Sequence, residues 1–243
     1  MTATKNGHYR PRRSMPTELL NRTQGEIRQR LRLYYRTLLE RLGPQRWWPA
    51  RTRFEVIVGA ILTQNTSWTN VERAVAALRR QRLLTPKALA NVPLQQLESA
   101  IRPAGYYRQK ARRLKAFVSF LQEHYGGSLR RMFQTPTATL RHQLLQVHGI
   151  GPETADSILL YAGHHPVFVV DAYTRRILSR HGLLDGRLQY EQIQRWFEAH
   201  LPRSAPLFNE YHALLVEVGK RWCHRQQPDC SSCPLGRYRE TAG

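Results

Sequence analysis

Two short segments of this sequence carry residues whose types and spacing could do chemistry. The stretch Leu144-Leu145-Gln146-Val147-His148-Gly149-Ile150-Gly151-Pro152-Glu153-Thr154-Ala155 sets two glycines ahead of a proline. Glycine admits φ values closed to other residues and proline suits the first position of a helix, so the stretch reads as a tight turn that opens a helix. Bare N–H groups at such a helix start hold an anion without any basic side chain, which suits a phosphate oxygen and is indifferent to base sequence. His148, Gly149, Gly151 and Thr154 are the candidate phosphate contacts. The second segment holds the three cysteines of the chain, Cys223, Cys230 and Cys233, with six residues and then two between them. Three thiols within one short stretch argue for a ligand cluster in a reducing compartment and against a secreted disulfide framework.

The rest of the chain must position these groups. Lys and Arg number 38 against 17 Asp and Glu, a formal net charge of +21, which calls for a polyanionic partner. Composition alone leaves a specific nucleic-acid enzyme and a generally adhesive basic protein both open. No apolar run approaches the ~20 residues that span a bilayer, and the first residues lack an apolar signal core, so the expected location is cytoplasmic, on the nucleoid in a prokaryote. Residues 1–16 are polar and basic and read as a mobile arm. From Thr17, Ile27, Leu31, Tyr34, Leu38 and Leu42 trace one helical face that Gly43 and Pro44 stop. Phe54 to Leu62 marks a second helix and Val71 to Leu78 a third, opened by a capping box of Thr69 with Glu72. Pro86 and Pro93 punctuate two short helices. After Gly105 comes a basic helix whose Lys110, Arg112, Arg113 and Lys115 read mostly as a solvated face. Thr139 to Val147 and Pro152 to Tyr161 form two helices about the Gly-Ile-Gly turn, and others follow from Ala172, Tyr190 and Ala205. Strand-type alternation is nearly absent, so the fold class is all-α.

The hairpin resembles the helix-hairpin-helix motif. Twenty residues after Gly151 stands Asp171, in Val169-Val170-Asp171-Ala172-Tyr173, and upstream lie Ile61-Leu62-Thr63-Gln64-Asn65-Thr66 and Gly105-Tyr106-Tyr107 with Lys110-Ala111. In this order, over residues 45–235, the chain resembles the endonuclease III-like DNA glycosylases of the HhH-GPD superfamily. The resemblance implies a six-helix bundle lobe over residues 51–162, with the hairpin at about 139–162. A second helical lobe comprises 17–50 and 163–243, and the active cleft lies between the two. It also implies a monomer acting on double-stranded DNA that contains damaged bases.

Enzymes that act on a base in a duplex first take it out of the stack. Trp47, Trp48 and Trp68 have π faces that favour an electron-poor or cationic base, and each could equally be packing. With the pocket segment they resemble the aromatic box of the endonuclease-III-like 3-methyladenine glycosylases. Gln64 resembles the residue that relatives insert into the gap left by the flipped base; it could also cap a helix. Asp171 corresponds to the family's catalytic aspartate, and also suits the N-cap of the next helix. Glu153 stands where lyase-competent relatives have lysine, which implies a water-using, monofunctional enzyme for a damaged, alkylated purine. Two alternatives are a bifunctional glycosylase/lyase for oxidised pyrimidines and a non-catalytic helix-hairpin-helix protein that senses DNA damage or structure. The cysteines repeat the family's iron–sulfur spacing with Arg239 in the fourth place. A [4Fe–4S] cluster on three cysteines and a non-cysteine ligand such as His224, a lost cluster, and zinc all stay open.

Overall fold

The computed structural model describes residues 23–239; the basic arm at 1–16 and the proposed helix start at Thr17 lie outside them. Helices dominate, and no strand occurs among the described residues. Helix α1 (Gln24–Leu42) begins at a capping box, with Glu26 N–H on Thr23 Oγ1 at 3.3 Å and Thr23 N–H on the Glu26 carboxylate at 2.7 Å. Its Leu31, Tyr34 and Leu38 are buried, as the spacing predicts, and Gly43 at φ 70° ends it.

Helix α2 (Arg53–Leu62) is buried on nearly every side and starts at Thr52, whose hydroxyl accepts Glu55 N–H. Helix α3 (Trp68–Arg80) corrects one expectation, since the chain turns helical after Ser67 and Thr69 therefore lies inside the first turn. A capping residue needs extended backbone outside the helix, so Thr69 and Glu72 cannot form the expected box. Then come α4 (Pro86–Asn91), α5 (Leu94–Ala100), α6 (Tyr107–Tyr125) and α7 (Leu129–Met132). The hairpin helices are α8 (Thr137–Gln146) and α9 (Pro152–Ser157), the latter widening into a π turn at Ile158–Ala162. Helices α10 (Ala172–Arg180), α11 (Tyr190–His200) and α12 (Ala205–Arg221) follow, and a loop closes on a 3-10 turn at Gly236–Tyr238.

The helices pack as two lobes. One gathers α3, α6 and α9 around α2; the other sets α1 against α11 and α12, with α10 on α12. A continuous apolar core joins them, because α12 also meets the π turn that ends the hairpin helix. The crossing of α10 on α12 is tight: a Cβ on Gly219 would stand 2.1 Å from the Tyr173 ring, so only glycine fits there. Lys110 corrects the solvated-face reading of the basic helix. It is 1% exposed, and its ammonium donates to Leu62 O at 2.9 Å and Ala104 O at 2.7 Å. Burial lowers its pKa to about 8, with Arg113 adding to the shift. The lysine falls on the same face as buried Leu114, Phe117 and Leu121, and it satisfies one carbonyl at the end of α2, that of Leu62, and one in the turn before α6, that of Ala104. It thereby fixes the point from which Thr63 and Gln64 leave α2.

Candidate active site and DNA-binding hairpin

The turn between α8 and α9 is built as its sequence suggests. Ile150 N–H closes on Val147 O at 3.0 Å, and Gly149 takes φ 79°. A Cβ there would stand 2.4 Å from the Arg113 side chain, so both conformation and space demand glycine. Gly151 is the N-cap and Pro152 begins the helix, with no side chain over its first amides. His148 is exposed at the turn and Thr154 is buried below it.

Gln64 is bonded within the protein on both its amide groups. Its amide donates to Gly149 O at 3.0 Å and Thr154 Oγ1 at 2.9 Å, while Arg113 donates to its Oε1. A fully used amide of this kind ties the end of α2 to the hairpin. Entry into a duplex would require those bonds to be exchanged.

Behind the hairpin lies a buried polar hub that sequence reading missed. Asp156 on α9 is 0% exposed; it accepts two parallel bonds from Arg141 on α8, at 2.8 and 3.0 Å, and one from Gln194 on α11 at 2.8 Å. Gln194 also donates to Phe168 O at 2.7 Å, in the extended segment that leads to Asp171. Charge-assisted, bidentate bonds of this type fix orientation as well as distance. The hub therefore sets the hairpin in register with the carboxylate.

Asp171 caps α10, with Oδ1 accepting Thr174 N–H at 2.7 Å. Its Oδ2 faces Nε2 of His212, on α12, at 3.7 Å. Nδ1 of His212 is hydrogen-bonded to the Tyr161 hydroxyl. Glu153, in the first turn of α9, is exposed at its surface but partly desolvated by its surroundings. This partial desolvation pushes its carboxyl up to about 7, and the charge of Asp171 adds to the shift. The two carboxylates, one in the first turn of α9 and one at the start of α10, thus lie close enough for the charge of Asp171 to act on Glu153.

The three tryptophans are half-buried and converge. Trp47 lies 5.6 Å from Trp48, across a cis peptide, and 6.0 Å from both Tyr161 and His212. Trp48 meets Trp68 edge-on at 5.2 Å, and its indole lies so close to Gly59 that a Cβ there would be 3.1 Å away. Trp48 and Trp68 line an open groove of about 580 Å³ with Pro49, Glu55, Glu72 and Arg79. Lys220 sits over Trp47 at 5.8 Å, paired with Glu217 at 3.1 Å. Tyr161, His212 and Lys220 were not singled out in the sequence. Helical spacing carried a signal, for 153, 157 and 161 share a face, as do 212, 216 and 220.

Cys223, Cys230 and Cys233 do converge, on a cavity of about 20 Å³. His224 is exposed and does not line it. Arg239, in the fourth-ligand place, donates to Cys230 Sγ at 3.3 Å, and Arg180 does so to Cys223 Sγ at 3.3 Å. The cavity has room for about one water, an arginine rather than a thiol stands in the fourth place, and no group of metal-ligating side chains forms among the described residues. The loop is tied down by protein: Arg180 donates to His224 O at 2.6 Å and Arg225 O at 2.7 Å, and Arg176 to Cys223 O at 2.7 Å.

Comparison with known proteins gives the family and fold of the chain. The profile of the HhH-GPD superfamily of base excision DNA repair proteins matches residues 58–203, and the chain belongs to that superfamily. Within it, the chain falls among the DNA repair glycosylases. A candidate DNA repair glycosylase of Methanocaldococcus jannaschii is 48% identical over 206 residues, covering 84% of this chain and 93% of that one. Endonuclease III of Thermotoga maritima is 30% identical over 187 residues, 77% and 82% of the two chains. Among solved structures, the H. pylori 3-methyladenine DNA glycosylase bound to 1,N6-ethenoadenine has a TM-score of 0.70 at 29% identity, over 82% of this chain and 98% of its own. A non-covalent endonuclease III–DNA complex shares the fold, with a TM-score of 0.72 at 24% identity over 90% and 96%. No helix among the described residues is long and apolar enough to cross a membrane.

Proposed function

We propose that this chain is a monofunctional DNA glycosylase that flips a damaged, alkylated purine from duplex DNA and hydrolyses its N-glycosidic bond, acting as a cytoplasmic monomer. The observation that carries the reading is the pairing of Glu153 with Asp171, where a lyase would need an amine beside the carboxylate. The hairpin N–H groups, with exposed His148 at the turn, grip a phosphate, and Thr154 holds the turn from below through Gln64. The flipped base stacks among Trp47, Trp48 and Trp68, whose faces favour a cationic purine. As the C1′–N bond breaks, its electron pair leaves with the base and positive charge builds on the sugar. The Asp171 carboxylate stabilises that charge. Water forms the new C1′–O bond, and its proton passes to a cleft carboxylate. The product is an abasic strand with an intact backbone.

The test is release of base from duplex DNA methylated with dimethyl sulfate, with borohydride added during turnover. Base release without a trapped protein–DNA adduct, and strand scission only after alkali, is the expected result. A strong adduct would assign lyase chemistry, and its loss in Lys220→Ala would identify the amine over Trp47 as its source. No base release from methylated DNA would overturn the alkylpurine reading.

A further inference from the structure

Asp171 has one polar neighbour that the hydrolytic scheme leaves unused. His212 is 4% exposed and lies among Trp47, Phe168, Tyr161 and Asp171. Its Nδ1 is engaged with Tyr161, whereas its buried Nε2 has no hydrogen-bond partner. A buried polar atom without a partner is costly and calls for a reason. The polar atom in front of it is Asp171 Oδ2, at 3.7 Å.

The proton arrangement follows from elementary chemistry. Burial lowers the pKa of His212 against the opposing effect of Asp171, so the ring is neutral at neutral pH. Burial, with the charges of Asp171 and Glu153, holds the Tyr161 hydroxyl well above its usual range, so the phenol keeps its proton. A neutral imidazole carries one N–H. If that proton sat on Nδ1, the Nε2 lone pair would confront the carboxylate oxygen at 3.7 Å. With Tyr161 donating to Nδ1, the proton sits on Nε2 and points at Oδ2, an attractive arrangement.

We propose that His212 is a positioning residue for Asp171: its tautomer is set by Tyr161, and its Nε2–H closes onto Oδ2 when the flipped nucleotide fills the cleft. Thr174 N–H already holds Oδ1 at 2.7 Å. One donor on each oxygen fixes the plane of the carboxylate and thus the face it turns to the sugar. This inference rests on the reading of Asp171 as the catalytic carboxylate.

Two measurements test it. With 15N-labelled histidine, His212 is expected to resonate as a neutral ring protonated at Nε2, and Tyr161→Phe should shift it toward a tautomer mixture. A wild-type ring protonated at Nδ1, or charged at neutral pH, would overturn the proposal without any activity assay. In single-turnover base release from methylated duplex, His212→Phe should slow the chemical step at least about tenfold at unchanged DNA affinity, the worth of one hydrogen bond to a charged group. His212→Gln, which restores an N–H donor, should recover part of that rate, and His212→Phe should add nothing in an Asp171→Asn background. Should His212→Phe fail to fold, Tyr161→Phe serves in its place, with a smaller slowing expected and a wild-type rate counting against the proposal. Fast turnover by Asp171→Asn would dispose of the reading beneath the inference. Slow Asp171→Asn beside His212→Phe at wild-type rate would dispose of the inference alone.

Discussion

The Asp156 hub and the cysteine loop solve the same problem in opposite ways. Each ties a segment to its lobe through arginine. At the hub, Arg141 meets a fully buried carboxylate that Gln194 also satisfies, so every member depends on the others. At the loop, Arg180 and Arg176 donate to backbone carbonyls, and two thiols are additional acceptors at 3.3 Å. A buried charge has no alternative partner, whereas an exposed carbonyl can turn to water. The comparison therefore puts the cost of mutation at the hub, although the cysteines are the more conspicuous feature of the sequence.

The strongest way to break this contrast is Asp156→Ala. It takes from the Arg141 guanidinium its buried partner and from the Gln194 amide one of its two acceptors, and should cost about 3–5 kcal/mol in urea unfolding. A loss below about 1 kcal/mol would mean that the hub is solvated after all. Glu153 lies between the two extremes, a carboxylate that keeps contact with solvent. Its pKa is raised to about 7 in the folded state, so the protonated form stabilises the fold below the unfolded value near 4.5. That contribution is lost as pH rises through 7. Glu153→Gln should gain on the wild type in thermal stability between pH 5 and pH 8, by less than the hub effect. A difference independent of pH would contradict it. The smallest effect is expected from replacing Cys223, Cys230 and Cys233 together by Ser, a stability change within about 1 kcal/mol and insensitive to chelator. Stoichiometric iron and sulfide in anaerobically purified wild type, lost with the thiols, would reverse the comparison.

Much of the site was legible because its chemistry is local. Gly149, Gly151 and Pro152 define a turn by backbone preference alone, and Asp171 sits where a carboxylate caps a helix. Asp156 and His212 were not legible, since their meaning lies in partners 38 and 51 residues away in sequence. Lys110 was hidden by its company. Within a basic run, one lysine on the apolar face looks like its solvated neighbours until the unpaired carbonyls of Leu62 and Ala104 are seen. The third-helix start failed for a similar reason, because a Thr-x-x-Glu pattern does not reveal that Ser67 already ended the extended backbone.

The tight crossing at Gly219 has a mechanical consequence. It works as a fulcrum: on one arm Asp171 lies just ahead of Tyr173, and on the other His212 lies seven residues back along α12, about 10 Å at the helical rise. With unequal arms, a tilt of a few degrees at the glycine is magnified at the imidazole and hardly felt at the carboxylate. The gap between the two is thus governed by the packing of Tyr173 on Gly219.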